Sequence, residues 1–140
     1  MTEYFGEIGN FYLSDTDFSA PKIKGNDIEI FFDKVDVYSE HPLAQKYGNG
    51  FRAAGIAKFI NVISSVRDIS EYKGDPKDAD AGFKESYIVK DIDKMADNDN
   101  YNIYCFDGLL KEPLSFCVWD IVAESFEFEI DEETIKLYPE

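Results

Sequence analysis

Histidine is almost missing from this 140-residue chain: there is one, His41, accompanied by two cysteines, two methionines and a single tryptophan. Imidazole-assisted catalysis therefore rests on one candidate. It precedes Pro42 in a loop-like stretch, and no Gly-x-Ser-x-Gly element exists for it to serve. His41 is read as a loop-packing residue, and no residue is assigned a catalytic role. Structural zinc takes four Cys or His ligands, whereas the chain offers three such residues, dispersed. Calcium loops fail on spacing. The stretches 75–80 and 97–100 are rich in oxygen ligands, but neither has the Asp-x-Asp-x-Asp-Gly order with Glu at the twelfth place. There is no glycine-rich phosphate cradle, no apolar run of membrane-spanning length, and no basic-then-apolar leader in the first thirty residues. The expectation is a soluble cytoplasmic protein that is not an enzyme and holds no metal or cofactor.

Positive charge is scarce as well. The chain has 14 Lys+Arg against 29 Asp+Glu, a net charge of −15. Residues 1–70 hold 10 acidic against 7 basic residues, and residues 71–140 hold 19 against 7, so −12 of the −15 lies in the second half. Such a surface repels nucleic acid and anionic membranes and attracts basic proteins. An ordinary solvated acidic surface is the plainer reading of the same numbers.

Aromatic residues are plentiful: 12 Phe and 9 Tyr bring the aromatic share to 16%. Strands favour such side chains, and 140 residues suffice for one core. The expected architecture is a single domain over 1–140, mainly β, an antiparallel sandwich or partly open barrel of six to eight strands with at most one or two short helices. The stretch from Pro113 to Asp131 organises it. Phe116, Val118, Val122, Phe126, Phe128 and Ile130 lie on one alternation and Cys117, Trp119, Ile121 and Ala123 on the other, so the first half is expected to be covered on both faces. Residues 114–130 fully extended would reach roughly 55 Å, against a domain diameter of about 37 Å. A bend near Ala123 is therefore predicted.

Elsewhere, 4–13 reads as a weak strand, 14–26 as a connection, and 27–38 as a strand with a bulge or a turn at Asp33–Lys34. A single helical turn is read over 43–47, and 51–66 as a largely buried strand that begins near Gly55 and is continued by 67–72 to an exposed end. Residues 83–96 fit a strand better than a helix, although Ile88, Ile92 and Met95 stand at helical spacing. With hairpin-turn chemistry at 97–100, the strand over 101–106 is expected to pair with 83–96, and Asp107–Gly108 to turn the chain. Cys105 and Cys117 are expected to be buried, reduced thiols.

The candidate partner-binding residues are Glu124, Glu127, Glu129, Asp131, Glu132 and Glu133, with Asp97 and Asp99. On the half-wet end of the long strand, Glu127, Glu129 and Asp131 share one face at about 7 Å spacing, close enough to the phosphate pitch of a nucleic acid strand to engage a basic cleft. Carboxylates on a wet face also serve simply to discourage edge aggregation. In size, acidity, β-rich aromatic composition and absence of catalytic groups, the whole chain resembles bacterial immunity proteins, the inhibitors of toxins delivered between competing cells. That resemblance implies a basic toxin domain as the partner, often a nuclease. A small-ligand barrel, with a pocket lined by Tyr, Phe and Trp119, is the alternative.

Overall fold

Two long strands carry the fold, and the other elements are placed by where they join them. The computed structural model describes residues 2–5, 11–14, 16–39, 41–47, 50–74, 77, 82–94, 101–110 and 114–137. In order these form β1 (Thr2–Phe5), β2 (Phe11–Tyr12), β3 (Thr16–Phe18), β4 (Lys22–Lys24), β5 (Asp27–Val37), α1 (Pro42–Tyr47), β6 (Phe51–Lys73), β7 (Gly82–Asp93), β8 (Asn102–Leu110), β9 (Ser115–Ile130), a 3-10 turn (Glu132–Thr134) and β10 (Lys136–Leu137). The fold is mainly β, as expected. The described residues give ten strands, eight of them three residues or longer.

β6 and β9 pair antiparallel from Gly55↔Ile130 to Glu71↔Ser115. On its other edge β9 pairs first with β8 and then, beyond the bend, with β1. β6 pairs with β5 over its first half and β7 over its second. A ring closes through β9, β8, β3, β5 and β6, with β3 parallel to β8 and antiparallel to β5. The sheet is thus mixed and partly closed on itself.

The expected bend is present and belongs to both long strands. On β9 the buried set runs Cys117, Trp119, Ile121, Ala123 and then switches to Phe126, Phe128, Ile130. On β6 it passes from Phe59 to Val62 at the same level. Because Ile60↔Ser125 and Val62↔Ala123 keep one register, both strands turn a shared corner there. Asn61 sits in it with φ 51°, a conformation asparagine tolerates better than most residues. A further bulge follows between Val62 and Ser64.

Several expectations need correction. The strand preference over 83–96 holds as β7, but β7 pairs with β6 while β8 pairs with β9, so no β7–β8 hairpin forms. Asp107 and Gly108 do not turn the chain. They lie within β8, where Gly108 faces Cys117 on one side and Thr16 on the other, and a Cβ there would collide with the Thr16 backbone and the Phe18 ring. The glycine is needed for the ring to close. Segment 14–26 contains β3 and β4 rather than only a connection, because β5 has edge positions for both. The expected bulge at Asp33–Lys34 is there, between Phe32 and Val35.

The interior is aromatic. Phe18, Phe32, Phe59, Phe128 and Trp119 are fully buried. Their rings and that of Phe106 touch one another: Phe18–Trp119 at 5.7 Å, Phe106–Trp119 at 5.5 Å, Phe18–Phe32 at 5.5 Å and Phe59–Phe106 at 6.0 Å between centroids. Such pairs contribute about 0.5–1.5 kcal/mol each beyond the area they bury. Among the described residues no helix is long and apolar enough to cross a membrane.

Candidate functional site

The acidic candidates do not form one open face. Glu127 and Glu129 lie on the outer side of β9, between β1 and β6, and both are half-buried. Lys58 on β6 stands in register between Glu29 and Glu127 and pairs with Glu129 at 3.0 Å. Lys24 on β4 pairs with Glu29 at 3.4 Å. Carboxylates here are interleaved with amines, which lowers the local field. Asp131 caps the 3-10 turn, its carboxylate accepting from the Glu133 amide at 3.2 Å. Glu132 and Glu133 are exposed on that turn. Glu124 is exposed at the corner, where it accepts from Asn61 Nδ2 at 3.0 Å. Asp97 and Asp99 lie outside the described residues.

A different surface stands out beyond the corner, where β7, β6, β9 and β8 lie side by side. Their inward residues include Cys117, Trp119, Ile121, Tyr104 and Phe106, all buried. Their outward residues fall into four rows of four. Ser86, Ser70, Phe116 and Leu109 make the first row; Ile88, Asp68, Val118 and Asp107 the second. Lys90, Val66, Asp120 and Cys105 make the third, and Asp93, Ser64, Val122 and Ile103 the fourth. None of the sixteen is buried. The expectation that residues 116–122 of β9 are covered on both faces is therefore wrong, since no second layer lies on this side among the described residues.

Solvated faces of antiparallel sheets are normally polar. This one presents seven apolar side chains, with Ile103 75%, Ile88 56% and Phe116 38% exposed. Among them stand four carboxylates, Asp68 and Asp120 in the middle of the face and Asp93 and Asp107 at its margins, against one amine, Lys90, which lies 3.7 Å from Asp93. Asp68 Oδ1 is buried between its neighbours with no hydrogen-bond donor among the described residues. An unmatched acceptor of that kind costs about 1–3 kcal/mol. Four strands at about 4.8 Å and four rows at about 7 Å make a patch of roughly 14 by 20 Å between its outermost backbones.

Cys105 belongs to this face and is exposed, which corrects the expectation of two buried thiols. Strand alternation separates the cysteines: Cys117 points inward opposite Gly108, Cys105 outward beside Asp120. The hydrogen bond to Asp120, with burial and the carboxylate charge behind it, holds the Cys105 thiol up to about 11. Burial pushes Cys117 up to about 12. Both therefore stay protonated and weakly nucleophilic at neutral pH.

On the inward side of the same strands lies a polar chain. Trp119 Nε1 donates to Ser65 Oγ at 2.9 Å, and Ser65 Oγ donates to Asp91 Oδ2 at 3.1 Å. Arg67 grips Asp91 with two hydrogen bonds, 2.9 and 2.7 Å, and its guanidinium carbon lies 5.2 Å from the Trp119 ring centre. The chain satisfies the indole N–H. His41 is likewise buried, with Nδ1 accepting from the Leu43 amide at 3.1 Å and its ring edge against Phe11. Burial lowers its pKa from 6.5, so the neutral ring is the form the fold accommodates. A shallow depression of about 430 Å³ is lined by residues of both signs, among them Asp33, Lys34, Arg52 and Glu133.

No family model, no curated protein and no solved structure matches this chain.

Proposed function

We propose that this chain is an acidic binding protein that neutralises a basic partner, acting as immunity proteins do, with a toxin domain as the partner and a nuclease as the kind that best fits the charge. One observation carries the reading: a net charge of −15 on 140 residues, −12 of it in residues 71–140. Charge of that size speeds encounter with a basic surface far more than solubility requires. Two features support it against the other readings. The aromatic rings that a small-ligand barrel would place around a pocket are packed on one another. The single histidine is buried, with Nδ1 accepting from the Leu43 amide.

The test is co-expression with the gene product encoded immediately beside this one, scored as growth, followed by binding kinetics of the purified pair at several salt concentrations. Protection is expected, with an association rate that falls steeply as salt rises and a dissociation rate that changes little, because screening acts on the approach. Absence of protection together with absence of binding at low salt would remove the proposal.

A further inference from the structure

We infer that the basic partner docks on the outward face of β7, β6, β9 and β8, beyond the corner, and that its contacting surface carries apolar side chains among its lysines and arginines; the inference rests on the binding function proposed above. Three observations converge. The face mixes apolar and acidic side chains, with Phe116, Ile88 and Ile103 exposed toward its margins and Val118 and Val66 between the carboxylates of its middle, and contiguous exposed apolar side chains mark association surfaces. It is acidic, with four carboxylates to one amine in sixteen positions. Lastly, Asp68 has one oxygen, Oδ1, with no donor among the described residues, so its carboxylate charge is left under-compensated for a cationic group arriving at the half-exposed side chain.

The charge also chooses between occupants. A second copy of this chain laid on the face would set carboxylates against carboxylates, which disfavours self-association. A basic partner meets complementary charge at the same positions. The region around Glu127 and Glu129 lacks this bias, because Lys58 and Lys24 are interleaved with its carboxylates.

Two measurements test the inference. In the first, isotopically labelled wild-type protein is titrated with a peptide of alternating Lys and Leu, alongside Lys–Ser and Glu–Leu peptides of equal length, and amide shifts are mapped. Shifts from the Lys–Leu peptide confined to β7, β8 and the facing halves of β6 and β9, with at least about tenfold weaker binding of the other two peptides, are expected. Shifts centred on Glu29, Lys58 and Glu127, or equal binding of the Lys–Ser peptide, would overturn it. In the second, Ile103→Lys and Asp120→Lys are compared with Ile23→Lys, the same kind of change on β4, in binding the partner from the protection experiment. Both face variants should bind at least about tenfold more weakly, with Ile23→Lys unchanged and melting points preserved. Wild-type binding that survives both face substitutions refutes the surface and leaves the function standing. Wild type that neither protects nor binds removes the function and this surface together. A dimer of the chain that Ile103→Lys dissolves would show the face to be a self-interface and overturn the inference.

Discussion

Asn61 and Glu124 face each other across the corner of the two long strands, the amide of one donating to the carboxylate of the other at 3.0 Å. The Asn61 amide N–H is held in turn by Asp27 Oδ1 at 2.9 Å, so the corner is fixed from β5 as well. At φ 51° a β-branched residue would be strained by about 1–3 kcal/mol. We predict that Asn61→Val lowers stability by about that amount in urea melts, whereas Asn61→Gly, which accepts the angle but loses the Glu124 contact, costs less. Equal losses from the two would show that the angle is not what the residue supplies.

The chain of bonds from Trp119 through Ser65 and Asp91 to Arg67 predicts a graded set of losses. Ser65→Ala leaves the indole N–H without its acceptor and should cost about 1–3 kcal/mol. Asp91→Asn leaves Arg67, whose side chain is only 12% exposed, without its counter-charge and should cost about 3 kcal/mol or more. Replacing the pair together, Arg67→Met with Asp91→Leu, should recover most of that loss. Tryptophan emission reads the same change at its source, since the only tryptophan lies at the end of the chain of bonds. A double variant no more stable than Asp91→Asn would contradict the account.

His41 makes stability fall with acid before the carboxylates titrate. Its folded pKa is lowered by burial, so its contribution is complete above 6.5, the value it has when unfolded, and is lost as pH falls toward the folded value. Between pH 7 and 5.5 the wild type should lose stability with a slope of up to about 1.4 kcal/mol per pH unit. His41→Gln, less stable at pH 7, should lack that slope. Parallel pH curves for the two proteins would show that the imidazole takes up its proton equally in the folded and unfolded states, and so is not held neutral by the fold.

The thiols should behave differently from each other. At pH 8 iodoacetamide should modify Cys105 slowly and Cys117 only on unfolding, and the unreduced protein should retain both thiol protons by mass. Asp120→Asn should lower the Cys105 pKa from about 11 toward 9 and speed its modification. No change in rate would dissociate Asp120 from the thiol.

The sequence was most legible where side-chain alternation and length had only one solution. The mainly β class, the bend near Ala123, the bulge at Asp33–Lys34 and burial of Trp119 all follow from such patterns. Pairing partners were not legible. Residues 97–100 have hairpin chemistry, yet β7 and β8 attach to different long strands, because pairing is decided by edges formed far away in the chain. The same blindness affected the candidate surface. Phe116, Val118 and Val122 look like core by composition, and Asp120 among them was the only local sign that their side of β9 faces water. Conversely Glu129 and Asp131 looked like free carboxylates, since Lys58 and the 3-10 turn that occupy them are supplied by other segments.

The parallel seam between β3 and β8 joins residues 16–18 to residues 108–110, the most distant pairing that closes the ring. Bringing those segments together early would fix a loop of about ninety residues before other contacts repay its entropy. On that ground the more local pairings β6–β7, β8–β9 and β5–β6 are expected to form before the seam closes. A defect in the seam should then leave the rate of folding nearly intact and shorten the lifetime of the folded state. Gly108→Ala, which obstructs Thr16 and Phe18, should move the unfolding limb of the chevron and spare the refolding limb, making the duration of the closed barrel the property that this glycine sets.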